Sequence, residues 1–333
     1  MTNMQPAPRI AVPAAIDPAA LIGFDPQAPV VQFGGTTMGT TWQVRAALPV
    51  ALGLDTARLT MLVQARLDGI VQDMSHWVPG SNLARYNQAY AGSVCALSLD
   101  MVRVMETALA VAQATNGAFD PAIGRLTDLW GLGPNPVSGP PPPAAVDHAM
   151  KGSGWRRLHF DPVRCTLRQP GGLWLDLSGI AKGFAVDAVA DLLGQQGLVH
   201  CLVEIGGECA GRGMRPDGDP WWVDVENPPE LSLPVLRVAL LGLAIATSGD
   251  YLRGAHTIDP RTGCPAIHST TAVTVVHPDC MSADAWATAL SVMDASAAQR
   301  CAEREDIAVR IVSRDGGEWL SPALAAMMDL EPA

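Results

Sequence analysis

Apolar residues recur along the chain at two spacings, and each spacing predicts a different secondary structure. From Asp55 to Ser75 they return every three or four positions, which is the period of an amphipathic helix. A second helix is predicted from Ser98, a residue type that caps helix N-termini, to Gly117, a residue type that follows helix C-termini. Helices are also predicted near residues 180–196 and 282–293. Short apolar and β-branched runs predict strands at Trp174–Leu177, His200–Ile205, Trp221–Glu226, Leu236–Leu241, Thr271–Val276 and Ala308–Val312.

The order of these elements predicts an α+β fold with mixed α/β layers, because short strands and helices alternate without a fixed repeat length. The first 30 residues are rich in proline and alanine and lack periodicity, so a flexible, loosely held arm is predicted over 1–30. Residues 31–330 are predicted to form one domain. Within it, the proline-rich segment 133–149 is predicted to be an exposed loop, with a rigid spacer favoured over a polyproline docking site.

Composition and charge narrow the class of protein. Apolar residues make up 48% of the 333 residues and charged residues only 17%, which excludes disorder for most of the chain. The net charge of −11 argues against a nucleic-acid-binding protein, which needs a basic surface. No apolar stretch is long enough to predict a membrane-spanning helix. The N-terminus has neither a signal peptide nor a lipoprotein cysteine, so a cytoplasmic location is expected, or a periplasmic one if the true start lies upstream.

The first segment with candidate chemistry runs from Leu175 to Asp187, where a strand is predicted to lead into a helix. The unpaired N–H groups and positive dipole end of a helix N-terminus favour an anion such as phosphate. Lys182 lies in the first turns and adds a positive charge. The P-loop pattern is absent, so a phosphate site and an ordinary strand–helix junction both stay open on these grounds.

A second segment places Asp284 and Thr288 four residues apart, hence on one face of a predicted helix. A carboxylate and a hydroxyl are hard oxygen ligands of the kind that Mg²⁺ prefers. Helix capping, with Ser282 as the N-cap, is the alternative that the residues alone favour.

A third segment, 248–263, concentrates charged residues and His256 among glycine and proline turns. Histidine titrates near neutral pH and is a natural general base, although a structural role is the commoner one for a loop histidine. Gly206 and Gly207, within Glu204–Glu208, would let backbone approach a ligand closely. The nearby Gly211-Arg-Gly213 does not extend into a dinucleotide-binding fingerprint.

Taken in order, these segments resemble the ApbE family, the FAD:protein FMN transferases. The resemblance spans about residues 33–295 and rests on Gly35–Thr40, Met74–Ser75, Ser81–Leu83, Gly117–Pro121, Asp176–Gly183, Glu204–Glu208, Ser248–Asp250, His256–Gly263 and Met281–Asp284. It implies an ApbE (T-fold-like) type of α+β fold with largely antiparallel sheets. It also implies a Mg²⁺-dependent enzyme that moves FMN from FAD onto a threonine hydroxyl of a target flavoprotein through a phosphoester bond, releasing AMP. A Mg²⁺-dependent FAD pyrophosphatase and a non-catalytic FAD-binding protein are the alternatives.

The resemblance also implies roles for individual residues. FAD would contact Met38, Trp77, Ala118, Phe119, Asp120, Asp176, Lys182 and the backbone of Ile258. Mg²⁺ would take the carbonyl of Ala181, the carboxylate of Asp284 and the hydroxyl of Thr288, and His256 would activate the acceptor threonine. Trp77 stands where relatives commonly have tyrosine and would stack on adenine. The segment between Asp250 and His256 is shorter than is usual in the family, which could open the rim of the site to water.

Overall fold

The computed structural model of the chain describes residues 8–251, 254 and 257–328. Within these ranges the strands are β1 (Arg9–Ala11), β2 (Val30–Thr37), β3 (Thr40–Ala47), β4 (Val94–Ala96), β5 (His159–Asp161), β6 (Thr166–Arg168), β7 (Cys201–Ile205), β8 (Glu208–Arg212), β9 (Trp221–Val225), β10 (Leu236–Leu240), β11 (Leu243–Gly249), β12 (Ile258–Asp259), β13 (Cys264–Pro265), β14 (Thr270–His277), β15 (Ala308–Ser313) and β16 (Glu318–Leu320). The α-helices of the same ranges are α1 (Thr56–Met74), α2 (Asn82–Gln88), α3 (Leu99–Ala114), α4 (Gly124–Leu129), α5 (Pro143–Gly152), α6 (Ala181–Gln195), α7 (Cys280–Ser291), α8 (Ala295–Arg304) and α9 (Pro322–Ala326). Short 3-10 helices occupy Pro18–Leu21, Val50–Leu52 and Trp155–Arg157.

An eight-stranded sheet forms the centre of the fold, in the order β16-β15-β14-β11-β8-β7-β3-β2. Every neighbouring pair in this sheet is antiparallel. Two smaller sheets, β4-β6-β5 and β12-β13, are antiparallel as well. The predicted α+β class with largely antiparallel sheets is confirmed.

Two layers cover the central sheet, one on each face. On one face lie α1, α6 and α7, and alternate strand residues such as Val273 and Val275 join them in the main core. On the other face, Ile245 and Val276 pack against the three-stranded sheet β1-β10-β9 and against α9. Because side chains alternate along a strand, one sheet supplies both cores. None of the helices in the described ranges combines the length and apolar composition that crossing a bilayer requires.

The predicted long helices are confirmed, and α3 has the predicted N-cap, Ser98, while α1 is capped by Asp55. The Asp55 side chain accepts a hydrogen bond from the Arg58 N–H at 2.7 Å, and Ser98 accepts one from the Met101 N–H at 2.9 Å. The expected cap of α7 is wrong, because the N-cap is Asp279, whose carboxylate accepts from the Ser282 N–H at 2.8 Å. Aspartate caps as well as serine does, and here it begins the helix one turn earlier.

The strand predicted at Trp174–Leu177 is not formed. This segment is extended but pairs with side chains and loops instead of with a neighbouring strand. The Leu175 N–H donates to Asn87 Oδ1 at 2.7 Å, and the Leu175 carbonyl accepts from Asn87 Nδ2 at 3.0 Å. The Asp176 N–H donates to the Pro121 carbonyl at 2.9 Å. One asparagine thus satisfies backbone groups that a sheet would otherwise pair.

Two predicted irregular segments contain regular structure. Within the predicted arm, β1 pairs in parallel with β10, and Ala11 is buried in the second core. Within the predicted proline-rich loop, α5 begins at Pro143. Proline is compatible with the first turn of a helix because the N–H that it lacks has no partner there.

Candidate active site

The start of α6 lies against α7, and these two helices carry the three proposed metal ligands. The Gly183 N–H donates to Asp284 Oδ2 at 3.0 Å. A Cβ atom on Gly179 would lie only 2.9 Å from Thr288 Oγ1, so this backbone touches the threonine directly. Ala181, the first residue of α6, stands between these two glycines in the chain. The structure therefore brings Ala181, Asp284 and Thr288 together at one junction.

Asp187 fixes the start of α7 in this junction, and the sequence reasoning gave it no role. Its Oδ1 accepts from the Cys280 N–H at 3.0 Å and its Oδ2 from the Met281 N–H at 2.9 Å. Burial raises the pKa of Asp187 to about 6, although these two hydrogen bonds oppose the rise. A carboxylate from α6 thus binds two of the unpaired N–H groups of α7 and holds the two helices in register.

Two buried carboxylates share one lysine beside the junction. Asp284 is 6% exposed and Glu208 is 3% exposed. Lys182 Nζ lies 2.5 Å from Glu208 Oε1. Burial raises the pKa of Asp284, and burial together with the charge of Asp284 raises the pKa of Glu208 from 4.5 to about 7, while Lys182 lowers both. The cluster is short of positive charge, which a divalent cation would supply.

The donor set fits Mg²⁺ better than a transition metal. The described residues contain no group of three or more His, Cys, Asp and Glu side chains that could hold a metal ion. One carboxylate, one hydroxyl and one carbonyl are all hard oxygen donors, and Mg²⁺ commonly completes its shell with substrate phosphate and water. The residues present therefore fit a magnesium ion that binds together with a phosphate-containing substrate.

The raised pKa of Glu208 predicts a pH dependence of stability in the ligand-free protein. A carboxyl group whose pKa is higher in the folded state binds more protons there, so its contribution to stability falls as pH rises from 4.5 to about 7. We expect the free energy of unfolding to fall in this range by at most about 1.4 kcal/mol per pH unit relative to Glu208→Gln. Urea denaturation of both proteins across this range measures the difference. Parallel pH profiles would contradict the assignment.

Asp176 and Trp77 both lie close to His76, which the sequence reasoning did not single out. His76 Nδ1 is 3.5 Å from Asp176 Oδ1, and the same oxygen accepts from the Ser178 N–H at 2.8 Å. The His76 and Trp77 rings have centroids 5.5 Å apart. Trp77 is 57% exposed, so part of its ring surface is open for stacking.

The proposed adenosine-side residues form a buried loop. Ala118 and Phe119 are buried, and both oxygens of Asp120 are engaged by backbone. Asp120 Oδ1 accepts from the Ala122 N–H at 2.8 Å and Oδ2 from the Trp155 N–H at 2.9 Å, while burial raises its pKa to about 6. Asp120 thus ties two loops together. The Ile258 side chain is buried in a separate apolar cluster, which leaves its backbone for any ligand contact.

Met38 has a backbone conformation that its residue type disfavours. It connects β2 to β3 with Gly39, and the two residues have φ of 48° and 74°. Such two-residue turns prefer Asn or Gly, and the left-handed region costs other residues about 1–2 kcal/mol. Strain of this kind is concentrated at ligand sites, which supports a functional reason for methionine at this position.

Four buried polar atoms without a hydrogen-bond partner lie beside the proposed FAD residues. They are four of the seven such side-chain atoms within the described part of the chain. Each neighbours a proposed residue in sequence or in space: Thr37 Oγ1 precedes Met38, His76 Nε2 precedes Trp77, Trp155 Nε1 is next to the Asp120 contact, and Glu208 Oε2 is beside Lys182. Buried polar groups are nearly always paired, so a bound ligand or ordered water would supply the partners of these atoms.

The proposed base and its loop are only partly described. His256 lies outside the described residues. Nearby, Asp250 accepts from Thr271 Oγ1 at 3.0 Å and pairs with Arg314, and Asp259 holds Arg261 through two hydrogen bonds of 2.8 and 2.9 Å. Both carboxylates are thus engaged within the protein.

Comparison with known proteins gives one consistent result. The model of the ApbE family matches residues 38–311. Curated relatives named FAD:protein FMN transferase include one from Salmonella typhimurium, 33% identical over 86% of each chain, and one from Vibrio cholerae, 35% identical over 89% of this chain and 92% of the relative.

Solved structures agree in fold. The flavin transferase ApbE from Vibrio cholerae superposes with a TM-score of 0.84 at 34% identity, covering 90% of this chain and 99% of that one. The apo form of the flavinyl transferase ApbE from Pseudomonas stutzeri gives 0.83 at 33% identity, covering 91% and 98%.

Proposed function

The chain belongs to the ApbE family, whose members transfer FMN from FAD to a target protein, and we propose that it carries out this reaction with Mg²⁺ and with a threonine hydroxyl of the target as acceptor. The observation that carries the proposal is the junction of α6 and α7. There Asp284 is buried next to Lys182 and Glu208, and Thr288 faces the backbone of Gly179.

The metal ligands of this proposal are the Ala181 carbonyl, the Asp284 carboxylate and the Thr288 hydroxyl. Bound Mg²⁺ would neutralise charge on the transferred phosphoryl group. Asp187 holds α7 in place, so these ligands are positioned before the substrate arrives.

The proposed FAD-binding residues act on two parts of the substrate, the adenosine half and the pyrophosphate. Trp77 offers a stacking surface to adenine, and the loop of Ala118, Phe119 and Asp120 shapes the wall beside it. Lys182 places a positive charge near the pyrophosphate, where charge grows as the bond between the phosphates breaks. Met38 and the Ile258 backbone complete the contacts in this proposal.

His256 moves the proton. As general base it takes the proton from the acceptor hydroxyl while that oxygen bonds to the FMN phosphorus. The bond from this phosphorus to the bridging oxygen breaks, and its electron pair leaves on AMP. The products are a phosphoester-linked flavoprotein and AMP, and atoms and charge balance without another reactant.

The test combines the full chain with FAD, Mg²⁺ and a candidate flavoprotein, with in-gel flavin fluorescence after denaturation and AMP measured in parallel. Covalent fluorescence with matching AMP supports transfer. AMP without covalent flavin supports hydrolysis of FAD instead, and FAD binding with neither product supports a carrier.

His256→Ala distinguishes catalysis from binding in the same assay. We expect transfer to fall roughly 10²-fold, because general base catalysis contributes at least this much, while FAD still binds. Titration of FAD into the variant provides the binding control. Undiminished transfer would exclude His256 as the base.

A further inference from the structure

We propose that His76 recognises the adenosine half of FAD, with Asp176 holding its ring so that Nε2 accepts a hydrogen bond from the adenine amino group or a ribose hydroxyl. This inference rests on the proposed function, because it takes FAD as the substrate and Trp77 as the adenine-stacking residue. It adds a residue to the site for which neither the sequence motifs nor the family resemblance assigns a role.

Asp176 is itself held by backbone, so it can orient the histidine. Its Oδ1 accepts from the Ser178 N–H at 2.8 Å, and its own N–H donates to the Pro121 carbonyl at 2.9 Å. His76 Nδ1 lies 3.5 Å from the same Oδ1, and the two side chains are only 11% and 5% exposed. A carboxylate oxygen at this distance from Nδ1 favours the tautomer that carries its proton there.

In that tautomer Nε2 is a hydrogen-bond acceptor. The atom is buried and has no partner within the described residues. A buried acceptor without a donor is energetically unfavourable. A ligand that brings a donor to this position would remove that cost on binding.

The position of His76 indicates which part of the ligand brings the donor. Its ring centroid is 5.5 Å from that of Trp77, with the ring planes tilted by 37°. Stacking on Trp77 does not distinguish one flat ring from another, since all bases offer a π face. A directional hydrogen bond from the adjacent histidine supplies that distinction, and only the adenosine half distinguishes FAD from FMN.

Two near-isosteric variants separate recognition from a purely structural contact with Asp176. His76→Asn keeps an amide nitrogen near the position of Nδ1 and loses Nε2. His76→Gln reaches the position of Nε2 with an amide oxygen and loses the Asp176 contact. If His76 only makes a structural contact with Asp176, asparagine should be the better replacement. If His76 Nε2 recognises the ligand, glutamine should be the better one.

The experiment measures AMP binding by calorimetry and FAD turnover on the full chain with Mg²⁺. We expect His76→Asn to raise the Kd of AMP and the KM of FAD about tenfold with kcat little changed, and His76→Gln to recover most of this loss. His159→Asn, which makes the same change at an exposed histidine of β5, is the control and should bind like wild type.

Nucleotide analogues identify the donor. Weaker binding of IMP than of AMP to wild type, but not to His76→Asn, assigns the adenine amino group, and the same pattern with a deoxy-AMP assigns a ribose hydroxyl. Equal binding of all these nucleotides to wild type, or AMP binding unaffected by His76→Asn, would overturn the role of His76. Either result would leave the proposed function standing. Wild-type protein that bound neither AMP nor FAD would overturn the proposed function as well.

Discussion

Asp284→Asn is expected to reduce Mg²⁺-dependent flavin transfer on the order of 10³-fold, because a metal ion contributes several kcal/mol of charge stabilisation to phosphoryl transfer. The same change is expected to leave the metal-free protein as stable as wild type, or more stable. Loss of flavin transfer with retained stability is the result expected for a residue that binds a ligand and does not stabilise the fold.

The sign of the stability effect follows from burial. Burial raises the pKa of Asp284, which means that the folded state disfavours its charge. The contribution of Asp284 to stability therefore falls as pH rises above the ordinary aspartate pKa. At neutral pH a neutral side chain at this position removes the cost of the buried charge. Asparagine keeps an oxygen that can accept from the Gly183 N–H, so the contact between α6 and α7 survives.

The measurements are the transfer rate and the melting temperature with and without Mg²⁺ in the presence of AMP. Wild type should melt higher with Mg²⁺, by mass action, and Asp284→Asn should not. Asp279→Asn is the matched control, because asparagine also caps a helix and Asp279 begins the same helix from a more exposed position. A Mg²⁺ shift retained in Asp284→Asn, or an equal loss in Asp279→Asn, would refute the ligand assignment.

Local patterns predicted much of the fold but not the pairing of its segments. The helices α1 and α3 follow directly from apolar period and capping residues. Trp174–Leu177 has the composition of a strand, yet its partner is the Asn87 side chain, which no local pattern reveals. Whether such a segment forms a strand depends on its packing against residues far away in the sequence. The β-propensity of its own residues is too weak to decide this.

In the candidate site, too, local sequence patterns predicted some features, and contacts between distant residues decided the others. Asp284 and Thr288 share a helical face by their spacing, but the Gly183 contact that fixes Asp284 joins residues 101 positions apart. Glu208 stands in a segment noted for its glycines, and only the structure shows it buried against Lys182. His76 was missed because its signal, a buried nitrogen without a hydrogen-bond partner among the described residues, exists only in three dimensions.

Gly183→Ala is expected to lower both stability and transfer, because no side chain fits at this position. A Cβ atom there would lie 2.2 Å from the Cys280 carbonyl oxygen and 2.8 Å from Asp284 Cβ. The nearest obstacle is backbone, so α6 and α7 must move apart. Overpacking of this kind costs about 1–3 kcal/mol of unfolding free energy. It also shifts Asp284 away from Ala181, and a displacement near 1 Å at a reacting centre costs roughly 10²-fold in rate.

Gly194→Ala in the same helix separates this effect from helix propensity. A Cβ atom on Gly194 meets no atom of the described residues within 4 Å outside the neighbouring backbone of its own helix, so alanine should raise the unfolding free energy by up to about 1 kcal/mol and leave transfer unchanged. Urea denaturation and the transfer assay on both variants give the comparison. If Gly183→Ala behaved like Gly194→Ala, close approach of the two helices would not be what positions the metal ligands. If Gly183→Ala lost the Mg²⁺ dependence and Gly194→Ala kept it, the backbone contact at Gly183 would be shown to set the geometry of the site together with the ligand side chains.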